Sequence, residues 1–154
     1  IGLRYFNVFG KRQNPDGPYA AVIPKWITAM IKKEEVNING DGETSRDFCY
    51  IENAVQANIL AAVSSSDARN NVYNVALGDR TSLNQLFAYI VEALKAHDIN
   101  YSKEPTFLDF RKGDVRHSEA DISKATQKLN YIPTHKIKDG INDTISWYLS
   151  KFKT

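Results

Sequence analysis

Short apolar runs alternate with stripes of helical period along the whole chain, and no other feature limits the fold as tightly. A half-buried strand repeats every two residues and an amphipathic helix every three to four, so the two patterns can be told apart. Residues 2–8 read as a strand, and residues 9–19, dense in turn formers, as a loop. A helix follows with Pro24 in its first turn and Ile23, Trp26, Ile27, Met30 and Ile31 as its core face. Val36 to Asn39 is a short strand ending in the turn Gly40-Asp41-Gly42, and Arg46 to Ile51 is another. The spacing of Ala54, Ala57, Leu60 and Ala61 predicts a helix from Asn53 to Val63, closed by the polar loop Ser64-Ser65-Ser66-Asp67. Val72 to Ala76 is apolar and β-branched, hence a strand. Thr81-Ser82 with Gln85 resembles a capping box ahead of a helix carrying Leu83, Leu86, Phe87, Ile90, Val91 and Leu94. Thr106 to Phe110 is a strand, and Asp121 can cap a short helix through Leu129. Ile137, Ile141, Ile145, Tyr148, Leu149 and Phe152 mark a last helix, whose start Gly140 weakens. Strands alternating with helices predict an α/β fold.

The first residues, Ile1-Gly2-Leu3-Arg4-Tyr5-Phe6-Asn7-Val8, read as a strand already under way. An opening strand needs neighbours to pair its edges, so the expectation is a piece of something longer. The 154 residues, 42% apolar, suit one domain. A net charge of +2, with Lys and Arg dispersed among 18 acids, lacks the basic stripe of a nucleic-acid binder. No apolar run reaches the roughly 18 residues of a membrane helix, and no signal peptide is visible. The single cysteine, Cys49, excludes an internal disulfide framework and points to the cytoplasm; its setting in Phe48-Cys49-Tyr50-Ile51 predicts a buried, inert thiol.

A search for catalytic chemistry finds little. Neither a Gly-x-Gly-x-x-Gly or Gly-x-x-Gly-x-x-Gly dinucleotide cradle nor a P-loop nor a Gly-x-Ser-x-Gly turn occurs. His97, His117 and His135 are scattered singles without metal-ligand spacing, so no metal site is expected; His97, late in its helix, suits the dipole's negative end. Two stretches set arginine beside carboxylate, Thr44-Ser45-Arg46-Asp47-Phe48 and Arg111-Lys112-Gly113-Asp114-Val115-Arg116. Arginine forks match phosphate oxygens, glycine lets backbone approach a ligand, and a carboxylate can accept from ribose hydroxyls. The other reading is a set of surface ion pairs of little energetic worth, which residue types alone favour.

At these residues the chain resembles the extended short-chain dehydrogenase/reductases, within the NAD-dependent epimerase/dehydratase family. Leu3-Arg4-Tyr5-Phe6-Asn7-Val8-Phe9-Gly10, Ala21-Val22-Ile23-Pro24, Asn39-Gly40-Asp41-Gly42, Thr44-Ser45-Arg46-Asp47-Phe48 and Asp114-Val115-Arg116-His117 follow in that family's order over nearly the whole chain. Arg12-Gln13-Asn14-Pro15-Asp16-Gly17 and Gly113-Asp114-Val115-Arg116-His117-Ser118 look most like bacterial UDP-N-acetylglucosamine 4-epimerases of surface-polysaccharide synthesis.

The resemblance implies the C-terminal substrate-binding lobe of a Rossmann-type epimerase, one nucleotide-sugar-binding domain over residues 1–154. Residues 1–10 would be a leftover strand of the preceding Rossmann sheet. It implies that Asn7 bonds the sugar diphosphate and that Tyr5 and Phe6 shape the wall on the cofactor side. Val22 and Ile23 would cover the nucleotide, and the backbone of Asn37 and Asn39 would address the uracil edge. Arg46 and Arg111 would clamp the diphosphate, Asp114 would hold the ribose, and Arg116 would lie close by. Ser118, where related UDP-glucose enzymes carry an aromatic residue, would leave room for an N-acetyl group. The implied cofactor is NAD, which takes hydride from C4 and returns it to the other face. The base is a tyrosine tuned by lysine; both, with the glycine cradle, would lie upstream. The implied partners are a UDP-N-acetylhexosamine and, for a full-length protein, a second copy in a homodimer. Two further readings stand beside it: a 4,6-dehydratase or decarboxylase of the same family, and a non-catalytic nucleotide-binding module.

Overall fold

The structure, a computed structural model, describes residues 1–17 and 21–152, the side chain of Phe152 excepted. The end of the expected loop at Pro18 and Tyr19, and Phe152's place on the last apolar face, lie outside the described residues. In order the elements are β1 (Gly2–Tyr5), β2 (Val8–Phe9), α1 (Val22–Ile31), β3 (Asn37–Asn39), β4 (Ser45–Arg46), β5 (Cys49–Tyr50), α2 (Ile51–Ala62), a 3-10 turn (Ser66–Ala68), β6 (Val72–Val75), β7 (Thr81–Ser82), α3 (Leu83–Lys95), β8 (Thr106–Leu108), α4 (Ser123–Leu129) and α5 (Ile137–Phe152). The strands form pairs: β1 with β6, β2 with β5 and β3 with β8 run parallel, while β4 and β7 run antiparallel. Parallel strands need long crossovers, and the helices supply them, as the alternation predicts.

Two apolar cores result. The first packs α1, α3 and α5 together through Ile23, Ile27, Met30, Leu86, Ile90, Leu94, Ile141 and Ile145, with Ile38, Phe48 and Tyr50 beneath. The second lies between the β1–β6 pair and helices α2 and α4, built on Ala54, Ala57, Tyr73, Val75, Ala125, Leu129 and Tyr131. The capping box forms at α3: Ser82 Oγ accepts from the Gln85 amide at 3.2 Å, and Gln85 Oε1 accepts from the Ser82 amide at 2.9 Å. Asp121 Oδ1 accepts from the Ser123 amide at 2.8 Å and so opens α4, which ends at Asn130 in the left-handed region.

The expected strands are shorter than their apolar runs. Residues 2–8 break at Phe6–Asn7, because Asn7 takes φ 37° and its Nδ2 donates to the Asp47 carbonyl at 2.9 Å. The chain thus pairs first with β6 and then, as β2, with β5. The run from Arg46 to Ile51 divides into β4 and β5, because buried Asp47 turns its carboxylate to neighbouring loops, and Ile51 already begins α2. The strand expected to reach Phe110 stops at Leu108, where the β3 register ends.

Gly140 lies against the ring of Tyr50, and a Cβ there would meet ring atoms at 2.7 Å. Replacing a helical glycine by alanine gains about 1 kcal/mol of propensity, whereas overpacking of a core costs about 1–3 kcal/mol. Three contacts under 3 Å put this site at the upper end of that cost, so Gly140→Ala is expected to lose stability by about 1 kcal/mol or more in urea unfolding; an unchanged midpoint would mean that Tyr50 moves aside freely. Cys49 is fully buried. Burial pushes its thiol up to about 11 from 9.0, against the Tyr131 hydroxyl bond. The thiol should therefore resist alkylation at mildly alkaline pH until the chain unfolds. As pH rises past 9.0 the unfolded thiol ionises first, so this group then favours unfolding. Rapid labelling of native chain would contradict that placement.

Candidate functional site

A cavity of about 300 Å³ opens where β3, β4 and the starts of α1 and α3 converge. Each wall follows from local structure. In β3, Val36 O accepts from the Thr106 amide at 2.9 Å and the Gly40 amide donates to Leu108 O at 2.8 Å. These residues, two apart from each other's parity partners, turn their backbone groups toward β8. By strand alternation the backbone groups of Asn37 and Asn39 turn the opposite way, to an edge that pairs with no strand among the described residues. Ile38 between them is buried, so the asparagine side chains share the other face and line the cavity. At α1, Ala21 and Val22 reach the cavity, the N-cap has no side-chain partner and the first turn has no acid. The first amides of a helix, which have no partner within it, leave partial positive charge at this end. Trp26, Phe48 and Leu83 supply apolar wall, and Thr44 and Asn7 supply polar edge.

The arginines divide by partner. Arg46 is held: Nη1 donates to its neighbour's carbonyl, Ser45 O, at 2.8 Å, and Nη2 pairs with Asp114. The Arg46 side chain is 17% exposed, against 43% for Asp114, so this pair is partly shielded from water. Arg116 pairs with Asp41 at 2.5 Å and lies over the Phe110 ring, 5.1 Å from its centroid. That hydrogen bond, then the Glu43 amide, holds the Asp41 carboxyl below the usual carboxylate range. Arg111 lines the cavity and has no ion-pair partner among the described residues. One cation facing the cavity is therefore oriented and one is uncommitted.

Of the residues singled out from sequence, Asn7, Val22, Asn37, Asn39, Arg46, Arg111 and Asp114 meet at this cavity. Others lie elsewhere. Ile23 is fully buried in the first core, because α1 turns it inward beside Ile27. Arg116 is drawn to Asp41 and Phe110 and takes no part in the lining. Tyr5 is exposed and donates from its hydroxyl to Asn58 Oδ1 at 3.0 Å; Phe6 donates its amide to Val75 O at 3.0 Å; neither lines the cavity. Ser118 is half-buried, its amide bonded to Ser45 O at 3.1 Å, also outside the lining.

Sequence reasoning missed Trp26 and Leu83, since helical spacing marks a core face without saying which end of it stays open. Thr44 and Phe48 flank Arg46, and that adjacency was the available signal. Asp47, read from sequence only as a carboxylate beside Arg46, has a part that the sequence did not disclose. It is fully buried, and its carboxylate accepts from the amides of Leu77 at 2.8 Å, Gly78 at 3.0 Å and Ala120 at 3.3 Å. Burial pushes its carboxyl above the usual range, and the three amides oppose the shift.

Larger depressions exist, of 390 Å³ beside Ile1, Leu3 and Arg69 and of 610 Å³ beside Glu119 and Asp121. Neither brings two cations to one concavity. Among the described residues no group of three or more His, Cys, Asp or Glu is placed to hold a metal, and no helix is long and apolar enough to cross a membrane.

Comparison with known proteins agrees with this architecture. The NAD dependent epimerase/dehydratase family description matches residues 1–76. A UDP-glucose 4-epimerase from Thermotoga maritima, solved with UDP-glucose, superposes with a TM-score of 0.88 at 39% identity, over 97% of this chain and 46% of that one. A UDP-N-acetylglucosamine 4-epimerase from Methanobrevibacter ruminantium, solved with UDP-N-acetylmuramic acid, gives a TM-score of 0.83 at 45% identity, again over 97% and 46%. A UDP-N-acetyl-alpha-D-glucosaminuronate decarboxylase from Bacillus cytotoxicus is 28% identical over 95% of this chain and 45% of its own. The chain spans about half the length of the curated relatives it matches. The α/β pairing of short parallel strands, the order of the motifs and these likenesses together make the chain similar, over nearly its whole length, to proteins of the NAD-dependent epimerase/dehydratase family.

Proposed function

We propose that the chain forms the UDP-sugar-binding side of an NAD-dependent C4-epimerase acting on UDP-N-acetylhexosamines. The observation that carries this reading is one cavity faced by an oriented Arg46, an uncommitted Arg111 and the open N-terminus of α1. A diphosphate is a chemical match for that set: arginine forks bond phosphate oxygens in pairs, and helix amides add further donors. The backbone edge of Asn37 and Asn39 offers both donors and acceptors to a pyrimidine. Asp114, within reach of Arg46, is placed to accept from ribose once that arginine turns to phosphate. Asn7 lines the cavity and in this reading bonds the sugar diphosphate. NAD, when bound, supplies the hydride acceptor for oxidation at C4 and the reverse step. This chain's residues hold the nucleotide so that remote binding energy fixes the sugar's position. The acid–base tyrosine and lysine, the glycine cradle and the homodimer contact belong, in this reading, to the rest of a full-length enzyme.

The preference for an N-acetylated sugar draws support from the 45% identity with the Methanobrevibacter enzyme, against 39% with the Thermotoga UDP-glucose enzyme. The likeness to the Bacillus decarboxylase favours a second reading, decarboxylation or dehydration on the same nucleotide-binding frame. Product analysis of a full-length enzyme with UDP-N-acetylglucosamine and its uronate separates the two.

Calorimetric titration of the chain with UDP-N-acetylglucosamine tests the site. Arg111→Ala is expected to weaken binding by about tenfold or more, the loss of one charged hydrogen bond. Its unfolding free energy should stay within about 0.5 kcal/mol of wild type, as for an unpaired surface residue. Arg46→Ala should weaken binding similarly and also destabilise the chain, because Asp114 loses its partner. Wild-type affinity in Arg111→Ala would remove the diphosphate from this cavity.

A further inference from the structure

We infer that Asp47 is a positioning residue for the nucleotide cavity, an inference that rests on the reading above. Its two neighbours in sequence, Arg46 and Phe48, line the cavity, while its own side chain turns away and is fully buried. Three separate segments hang from it. Its carbonyl accepts from Asn7 Nδ2 at 2.9 Å, its Oδ1 from the Leu77 amide at 2.8 Å, and its Oδ2 from the amides of Gly78 at 3.0 Å and Ala120 at 3.3 Å. The Ala120 bond ends a row of ties between the β4 region and residues 116–120. The Ser45 amide donates to Arg116 O at 2.9 Å, the Ser118 amide to Ser45 O at 3.1 Å, and Ser45 Oγ meets His117 Nδ1 at 2.9 Å. Asp114 enters the cavity at the head of this row and meets Arg46 there. Asp47 therefore sets the relative position of Asn7, Arg46, Phe48 and Asp114 from behind, without reaching a ligand itself.

A carboxylate is needed for this. No cation pairs with Asp47 among the described residues. A buried charge without a cationic partner is costly and is sustained only by its hydrogen bonds. An asparagine would present one acceptor oxygen and one donor NH2 to amides that all donate. Whichever way it turned, an amide of the 77–78 loop would face a donor and shift, and with the NH2 at the Oδ2 position the amide of residue 120 would do so too, carrying the cavity wall with it.

The test compares UDP binding by wild type, Asp47→Asn and Leu129→Ala at a temperature where circular dichroism shows all three folded. Leu129 belongs to the second core and is no part of the cavity, so its truncation loosens the fold without touching the site. Asp47→Asn is expected to bind UDP about tenfold more weakly, and Leu129→Ala as wild type does. Equal affinity in Asp47→Asn and wild type would overturn the inference while leaving the UDP reading intact; absence of UDP binding by wild type would overturn both. Should Asp47→Asn not fold, hydrogen exchange on wild type decides: saturating UDP is expected to slow exchange severalfold at the amides of Leu77, Gly78 and Ala120, none of which lines the cavity. Unchanged exchange there would refute the positioning role.

Discussion

A single buried carboxylate, satisfied only by backbone amides, is the constraint on which the cavity's geometry depends. Asp47 brings together the loop after β6, the segment leading to α4 and, through its carbonyl, the turn after β1. Backbone donors impose direction as well as distance, so these loops cannot slide past one another while the carboxylate stays ionised. Desolvation works against the ion and outweighs the amides that work for it; what the group contributes is geometric, a strict demand on where those amides lie.

Around that anchor the surface charges are sorted by commitment. Asp41 and Arg116 neutralise each other at the rim, and Phe110 covers the guanidinium. Exposed pairs of this kind contribute little to stability, but this one holds Arg116 against Asp41 and Phe110, outside the cavity lining. Arg46 is committed to Asp114, and Arg111 to no acid among the described residues. In the proposed reading Arg111 meets a dianion without first breaking an ion pair, a condition that favours fast capture, and Arg46 exchanges its carboxylate for phosphate afterwards.

The helices were legible in the sequence because their signals are local. Ile23 through Met30, or Ser82 with Gln85, declare a helix within one or two turns. The strands were legible in kind but not in extent. What ends β1 is a hydrogen bond from Asn7 to a residue 40 positions away, and what divides β4 from β5 is a side chain serving loops 30 and 73 positions on. The same holds for the site. Family motifs gathered most of the cavity's polar residues, yet the pairings Arg46–Asp114 and Arg116–Asp41 span 68 and 75 positions. Ile23 and Arg116 show the limit of nearness in sequence: the first follows a lining residue on a helix and so faces inward, while the second lies two positions past Asp114 in a loop and finds another carboxylate.

Asn7 carries a consequence for how this position can vary. Its backbone adopts φ 37°, open to asparagine and glycine and closed to β-branched residues, and its side chain must also donate an N–H to the Asp47 carbonyl. Glycine satisfies the first demand and fails the second; aspartate tolerates the backbone but offers an acceptor to an acceptor; glutamine has the amide but not the conformational tolerance. Very few side chains meet both conditions, so the fold restricts this position even before any ligand does, and an asparagine at the same place in a related sequence would by itself be no measure of a role in chemistry.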